Sequence, residues 1–239
     1  MNLEKDERIE DLQCNGLKII QNKNLYTFTS DAVVLANFIK TKRDDNCVEI
    51  GTGSGVISIL LSAKTNFNSI KAFELQIEMS DLAKKNVSLN KLEEKIDVIN
   101  DDIENFKKHI CKEVDVVFSN PPYMKEDVLN ANDVKSKARH DKSLTIEKLC
   151  EVSSKMLKSG GKLFLVYASS RSAELIYHLK NNRLEPKRMF FTENGRGKTI
   201  LFVVEAVKDG RPGVEVLPNL VTNDKDGSYL ETLHTKYVK

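Results

Sequence analysis

Residues 46–55, NCVEIGTGSG, decide the fold of this 239-residue chain. A short apolar run ends at Ile50 and enters three glycines at alternate positions, Gly51, Gly53 and Gly55. The residues that follow, up to Thr65, place apolar side chains at a helical spacing. Glycines between a strand and a helix let the backbone turn tightly and approach a ligand closely. The stretch therefore predicts the first strand of a parallel sheet, with a ligand site beyond the carboxyl ends of the strands.

Strand-like and helix-like segments alternate after this stretch. Further strands are predicted at residues 69–75, 95–100, 114–120, 162–168, 188–192 and 199–207. Further helices are predicted at 76–90, at 143–160 with Ser143 or Thr145 as N-cap and Gly160–Gly161 as the stop, and at 170–182. The last two strands are joined by a turn with two glycines, as in a hairpin. We therefore predict an α/β fold, with a mostly parallel seven-stranded sheet, an antiparallel strand at its edge and helices on both faces.

The two ends of the chain differ from this central region. Residues 16–30 predict a hairpin, and residues 31–39 predict a short helix with Ser30 or Asp31 as its cap. The last residues carry prolines and turn signals with only short apolar patches, which is typical of an extended tail. We expect three parts, namely an N-terminal hairpin and helix at 1–45, a central domain at 46–207 and a C-terminal tail at 208–239.

Composition excludes several classes of protein. The chain has 37 Lys and Arg against 35 Asp and Glu, so its net charge of +2 predicts no general attraction to polyanions. Its apolar runs are too short to span a bilayer and its first residues are charged, so we expect a cytoplasmic protein with no membrane partner. Its four cysteines and four histidines are scattered, so we expect no metal site and no disulfide framework.

The glycine loop differs from two common nucleotide-binding loops. A dinucleotide-binding loop needs a glycine where this chain has Val56, which disfavours a dehydrogenase, and the Gly-Lys-Ser/Thr sequence of a phosphate-binding loop is missing. Glu49 precedes the glycines, and Glu74 lies at the end of the second strand, where an acid can bind both hydroxyls of a ribose. The pattern resembles the S-adenosylmethionine loop of class I methyltransferases, which have a Rossmann-like fold. That ligand carries an amino acid and a sulfonium, so it needs close backbone approach and acidic neighbours.

Two adjacent acids, Asp101 and Asp102, follow the third predicted strand. In the same fold, an acid at this place commonly accepts a hydrogen bond from the adenine of the donor. Asp102 precedes the apolar Ile103 and is the better match. The sequence leaves the choice between the two acids open, and a solvated turn acid is the alternative for each.

A second motif, Asn120-Pro121-Pro122-Tyr123, ends the fourth predicted strand. Two prolines remove backbone N–H groups, so the loop offers carbonyl oxygens, and Asn120 adds a side-chain carbonyl. Such a loop accepts both hydrogens of a planar amine, which localises the lone pair of the nitrogen. Tyr123 supplies an aromatic face on which a base can stack. The alternative is a proline-stiffened turn with a core tyrosine, and the position of the motif, at the end of a strand after a glycine loop of this type, favours amine binding.

Both ends of the chain indicate which amine is the target. Residues 16–21 (GLKIIQ), 28–36 (FTSDAVVLA) and 209–218 (DGRPGVEVLP) resemble the bacterial family of tRNA1(Val) (adenine-37-N6)-methyltransferases. The resemblance covers nearly the whole chain. It implies methylation of the adenine beside the anticodon of a valine tRNA, with S-adenosylmethionine as cofactor and the tRNA anticodon loop as partner.

The resemblance also implies roles for individual residues. Those implied to bind S-adenosylmethionine are Glu49, Gly51, Gly53, Gly55, Glu74, Asp102 and Asp31. Among them, the glycines hold the amino-acid end, Glu74 the ribose and Asp102 the adenine. Those implied to bind the target are Asn120, the Pro121 carbonyl, Pro122 in the same loop, and Tyr123 as the stacking ring. The segment with Phe28, Ser30 and Asp31 is implied to cover the donor pocket.

Two other interpretations stay open. Glutamine N5-methyltransferases that act on release factors carry the same tetrapeptide, but they bring a separate helical domain, and only 45 residues precede the first predicted strand of this sheet. A donor-binding fold that only scaffolds a partner is expected to carry a broken acceptor loop, whereas this loop is intact.

Two local basic clusters are candidates for RNA contact. The first contains Lys135, Lys137, Arg139, His140 and Lys142, and the second contains Lys187, Arg188, Arg196 and Lys198. Clusters of this kind contact phosphates or form a solvated face.

Overall fold

The structure is a computed structural model that describes residues 3–122, 144–224 and 226. The strands are β1 (Glu7–Asp11), β2 (Lys18–Asn22), β3 (Asn46–Ile50), β4 (Ser69–Glu74), β5 (Ile96–Asn100), β6 (Val114–Ser119), β7 (Leu157–Ala168), β8 (Leu184–Glu193), β9 (Thr199–Lys208), β10 (Glu215–Val216) and β11 (Leu220–Val221). The helices are α1 (Ser30–Phe38), α2 (Val56–Lys64), α3 (Ile77–Leu89), α4 (Ile146–Met156) and α5 (Ser172–Asn181). Short 3₁₀ helices span Ile103–Lys108 and Ser169–Arg171.

Nine of the described strands form one sheet, in the order β10-β8-β9-β7-β6-β3-β4-β5, with β11 also paired to β8. The strands from β3 to β7 are parallel to their neighbours in this group, which confirms the predicted α/β fold. The antiparallel strand was expected at the edge, but β9 lies between β7 and β8. Residues 201–206 of β9 are buried on both faces, so this strand takes an inner position. The strand β8 lies outside it, and β10 and β11 extend the sheet further.

Helices cover both faces of the sheet. One core contains the apolar residues of α1 and α2 and one face of the inner strands, including Cys47 and Val116. The other core contains those of α4 and α5 and the opposite strand face, including Val48 and Val117. Adjacent strand residues therefore face different cores, as the strand repeat requires. None of the helices in the described part of the chain has the length and apolarity that crossing a bilayer requires.

The helix predicted to stop at Gly160–Gly161 ends earlier, at Met156. Leu157 is fully buried and pairs with Val114 of β6, so β7 begins at that residue. The register between β6 and β7 then shifts, and residues 158–161 form a bulge. The helix ends before the two glycines because Leu157 is buried in the sheet. Gly160 and Gly161 therefore lie in the bulge of β7 instead of ending the helix. Of the two expected N-caps, Thr145 is the one observed, and Ser143 lies outside the described residues.

The N-terminal hairpin pairs different residues from those predicted. The strand β2 falls within the predicted range 16–30, but its antiparallel partner is β1, and residues 23–29 form no strand. The partner was missed because ERIED carries a single apolar residue and lacks apolar alternation. The helix α1 begins at Ser30 and its N-cap is Thr29, one residue before Ser30 and two before Asp31, the two predicted caps.

Candidate functional site

The glycine loop, residues 51–55, leaves the carboxyl end of β3. The backbone N–H groups of Gly51 and Thr52 both donate to the carbonyl of Phe73 on β4, each at 2.9 Å. Gly51, Gly53 and Gly55 all have positive φ, at 71°, 57° and 84°, which explains why glycine occupies these places. A Cβ added at Gly51 would meet no atom within 4 Å. Gly51 therefore presents bare backbone to open space, whereas a Cβ at Gly53 would contact Met79 at 3.6 Å.

Glu49 is a fully buried carboxylate that holds this loop. Its Oε2 accepts hydrogen bonds from the hydroxyls of Thr52, at 2.7 Å, and Ser58. Its Oε1 has no hydrogen-bond partner among the described residues. Burial raises the pKa of Glu49 to about 7, and nearby Glu74 adds to the rise. A cationic group near the loop would stabilise its ionised form.

Glu74 closes the other side of the loop from the end of β4. Its two carboxylate oxygens accept the backbone N–H of Gly53 at 2.8 Å and of Gln76 at 3.0 Å. Glu74 is buried, and desolvation raises its pKa above the ordinary value. The carbonyl of Glu74 in turn accepts a hydrogen bond from Nδ2 of Asn100 at 2.9 Å. A carboxylate with acceptor capacity left over thus lies beside the exposed glycine backbone.

The two candidate acids after β5 have different environments. Asp101 accepts hydrogen bonds from Nδ2 of Asn105 and from its own neighbour's backbone, and it pairs with Nε2 of His109 at 2.8 Å. The hydrogen bond to His109 is the main reason that the pKa of Asp101 falls to about 2. Asp102 accepts only the backbone N–H of Glu104, at Oδ1, among the bonds of the described residues. Asp102 therefore keeps an oxygen for a ligand, whereas Asp101 fixes the loop.

Two large apolar side chains lie exposed shortly after the end of β4. Leu75, which follows Glu74, is 45% exposed, and Ile77, at the start of α3, is 59% exposed. Large apolar side chains left this exposed beside hydrogen-bonding groups suit the face of an aromatic ring system.

The end of β6 places the second motif beside the glycine loop. Ser119 pairs in register with Ile50, and its hydroxyl donates to the Ile50 carbonyl at 2.7 Å. The residues that follow these partners are Gly51 and Asn120, so the two loops leave adjacent parallel strands, about 5 Å apart. Asn120 is half-buried, Pro121 is buried and Pro122 is exposed. Tyr123 and the first basic cluster lie outside the described residues.

The N-terminal segment reaches this edge by an unusual contact with α3. Asn86 accepts the backbone N–H of Ile20 at 2.6 Å and donates to its carbonyl at 3.0 Å, and Asn90 does the same for Lys18 at 2.9 and 2.7 Å. We call this pair of side chains the asparagine clamp. Because Ile20 meets the earlier helix residue, β2 runs antiparallel to α3 and carries the chain towards the glycine loop. Nδ2 of Asn86 also donates to the carbonyl of Ser54, at 2.9 Å.

The structure therefore gathers most of the predicted residues at one edge. Glu49 and the glycines lie together with Glu74, and Asp102 follows the next strand along the sheet. Asp31 is half-buried in the first turn of α1. The helices α1 and α2 pack into the same core, on the same face of the sheet. Sequence reasoning missed Asn86 and Asn100, because their partners are backbone atoms far away along the chain.

Comparison with known proteins gives consistent results. The family model described as methyltransferase small domain matches residues 28–185. A tRNA1(Val) (adenine(37)-N6)-methyltransferase of Dyadobacter fermentans is 28% identical over 218 residues, covering 88% of this chain and 90% of that protein. One of the same name from Shewanella woodyi is 26% identical over 210 residues, covering 84% and 86%. A solved structure described as a predicted O-methyltransferase, from Agrobacterium tumefaciens, has a TM-score of 0.66 at 18% identity and covers 85% of this chain and 95% of its own.

Proposed function

The chain belongs to the methyltransferase small domain family, and we propose that it methylates N6 of an adenine in tRNA, with adenine 37 in the anticodon loop of tRNA1(Val) as the target. The family resemblance inferred from the motifs is confirmed. S-adenosylmethionine is the methyl donor. The choice of adenine 37 of tRNA1(Val) as the target is supported by the names of relatives that are 25–31% identical to this chain.

The glycine edge fits the parts of S-adenosylmethionine. The buried carboxylate of Glu49, one of whose oxygens has no hydrogen-bond partner among the described residues, suits a neighbouring positive charge, and the open space at Gly51 allows close approach of the amino-acid part. Glu74 accepts the ribose hydroxyls, and Asp102 accepts the adenine amine through its remaining oxygen. The exposed Leu75 and Ile77 cover the faces of the adenine. When bound, the donor supplies an electrophilic methyl group on its sulfonium.

The observation that carries the proposal is the paired end of β3 and β6. Because Ile50 and Ser119 are register partners, an amine held at Asn120 lies next to a ligand held at Gly51. The Asn120 side-chain oxygen and the Pro121 carbonyl accept the two hydrogens of the adenine amine. These bonds draw the nitrogen out of conjugation with the ring and orient its lone pair towards the glycine loop. Orientation of this kind lowers the barrier mainly by fixing geometry.

The remaining predicted residues support donor binding and orientation of the target amine. Pro122 keeps the loop without a further N–H group, and Tyr123 stacks on the target base. The residues 1–45 form a cover of the donor pocket that carries Asp31, the residues 46–207 form the catalytic domain, and the residues 208–239 form the tail. No catalytic base is required, because the methylated ammonium loses its surplus proton readily to water.

The test is analysis of the nucleosides of tRNA from cells with and without the protein, followed by reaction of the purified chain with tRNA1(Val) transcripts. We expect loss of N6-methyladenine from one valine isoacceptor and its restoration by the wild-type chain. A transcript with guanine at position 37 is the matched control and is expected to accept no methyl group. Unchanged tRNA, or methylation of a glutamine in a release factor instead, would show that the proposal is wrong.

A further inference from the structure

The turn between β8 and β9 rises above the end of β6. Ser119 pairs with Leu165 on β7, and Leu165 pairs with Val204 on β9. From Val204, β9 extends back by five residues to Thr199, so at about 3.3 Å per residue its first residue stands roughly 17 Å past the end of β6. Residues 194–198, here called the hairpin tip, lie beyond that level.

One side chain fixes the backbone of the hairpin tip. Oδ1 of Asn194 accepts the backbone N–H of Arg196 at 3.1 Å and that of Lys198 at 2.9 Å. The backbone of Asn194 adds two further bonds across the turn, with Lys198 at 3.0 Å and Gly197 at 2.9 Å. The residues Arg196 and Lys198 are both exposed. The two cations therefore stand on an ordered main chain, and binding a partner there costs little backbone entropy.

Two cations at the opposite end of the same strands have acidic partners. Lys180 pairs with Glu185, and Arg183 pairs with Asp209 at 2.6 Å. Within the part of the chain that the structure describes, neither cation of the hairpin tip has a carboxylate within ion-pair distance. The two cations of the hairpin tip thus differ from Lys180 and Arg183 in how far their positive charge is neutralised.

The second basic cluster divides in the same way. Arg188 is directed into the protein, where it pairs with Glu205 at 3.2 Å and lies 5.0 Å from the centre of the Phe38 ring. Lys187 donates to the carbonyl of Arg211 at 3.2 Å. Only Arg196 and Lys198 of the cluster reach the edge that carries the acceptor motif.

We propose that the hairpin tip binds the phosphate backbone of the RNA substrate beside the target nucleotide, an inference that rests on the proposed function. A base that reaches Asn120 is flipped out of its stack, while its flanking phosphates stay outside the pocket. These phosphates then lie beyond the carboxyl end of β6, the direction in which the hairpin tip extends. Cations without acidic partners release phosphate counterions on contact, which favours binding at low salt. Because the contacts are to phosphates, the tip positions the RNA and carries no base preference.

The test compares two double variants that each lose two positive charges. The tip variant carries Arg196→Gln and Lys198→Gln. The control variant carries Lys180→Gln and Arg183→Gln, at the opposite end of β8 and β9. The readouts are KM for tRNA over a series of salt concentrations, KM for S-adenosylmethionine and the thermal midpoint. We expect the tip variant to raise KM for tRNA about tenfold or more near 0.1 M salt and to reduce the log–log salt slope by about 1.4, or 0.7 for each contact.

The control variant is expected to keep the wild-type slope, and both variants are expected to keep KM for the donor. An unchanged slope in the tip variant, or an equal change in the control, overturns the inference. The proposed function is judged separately, because the wild-type chain must still form N6-methyladenine in tRNA. If it does so and the tip variant behaves as wild type, only the role of the hairpin tip is wrong.

Discussion

The proposed donor half and the proposed acceptor half of the site, called below the donor half and the acceptor half, are built in different ways. The donor half is held by groups from several elements, in which Glu49 and Glu74 bind the loop from below and from the side. The described part of the acceptor half is a strand end, where Ser119 is fixed to β3 and Asn120 follows. In the donor half, ligand affinity depends on a loop whose conformation is held by several other residues. In the acceptor half, one side chain at the end of β6 can be removed without changing the shape of the site. Variants in the two halves should therefore affect different kinetic constants.

The largest effect is expected for Gly53→Val in the donor half. Its φ of 57° and its backbone bond to Glu74 leave no unstrained place for a branched side chain. We expect donor binding to fall below detection in calorimetry while the circular dichroism of the fold is kept. Gly160→Val is the matched control, because its φ is 78° and an added Cβ meets nothing within 4 Å. Equal loss of donor binding in both variants would contradict the assignment of the loop.

The next effect is expected for Asn120→Ala in the acceptor half. Removal of one oriented group that acts on the reacting amine costs on the order of 100-fold in kcat. Donor affinity should stay within about twofold, because the proposed role of Asn120 is to bind the acceptor amine and not the donor. Single-turnover rates and donor titration measure the two quantities. A parallel loss of donor affinity would place Asn120 in the donor half and remove the distinction between the halves.

A smaller effect is expected from the asparagine clamp. Asn86→Leu removes the bonds to Ile20 and to Ser54 in the glycine loop, so we expect lower stability and about a tenfold rise in KM for the donor. Asn90→Leu is the control, because the Asn90 side chain bonds the main chain of Lys18 and of Asn86 and, within the described part of the chain, no residue of the glycine loop. It should lower the thermal midpoint with little change in KM for the donor. Equal KM values for the donor in the two variants would show that the bond from Asn86 to the glycine loop does not affect donor binding.

The smallest effect concerns pH and Glu49. Its pKa of about 7 means that near pH 7 about half of the ligand-free protein carries the proton. A cationic donor favours the ionised form, so its binding expels that proton, and affinity rises by about threefold from pH 6.5 to 7.5 and levels off above that range. Glu49→Gln should abolish this dependence. Calorimetry in two buffers measures the proton release, and an identical slope in the variant would assign it to another group.

Local patterns predicted the centre of the molecule better than its contacts. The sequence around Gly51 combines a short apolar run, glycines and a helical repeat within about twenty residues, so the strand, the loop and α2 could all be predicted. The end of α4 could not, because burial of Leu157 against β6 depends on the assembled sheet. The asparagine clamp joins residues that are 66 and 72 positions apart, and no local pattern signals such a pair. The choice between Asp101 and Asp102 likewise depended on His109, eight residues further along the chain.

The asparagine clamp also bears on how the N-terminal segment can vary. On β2, its two side chains bond main-chain N–H and C=O groups of Lys18 and Ile20, and these groups are the same in every residue type except proline. Substitutions in β2 that keep an extended main chain and the apolar face thus leave the attachment in place. Selection for docking acts on two helix positions, and the exposed side chains of the attached strand remain open to mutational drift.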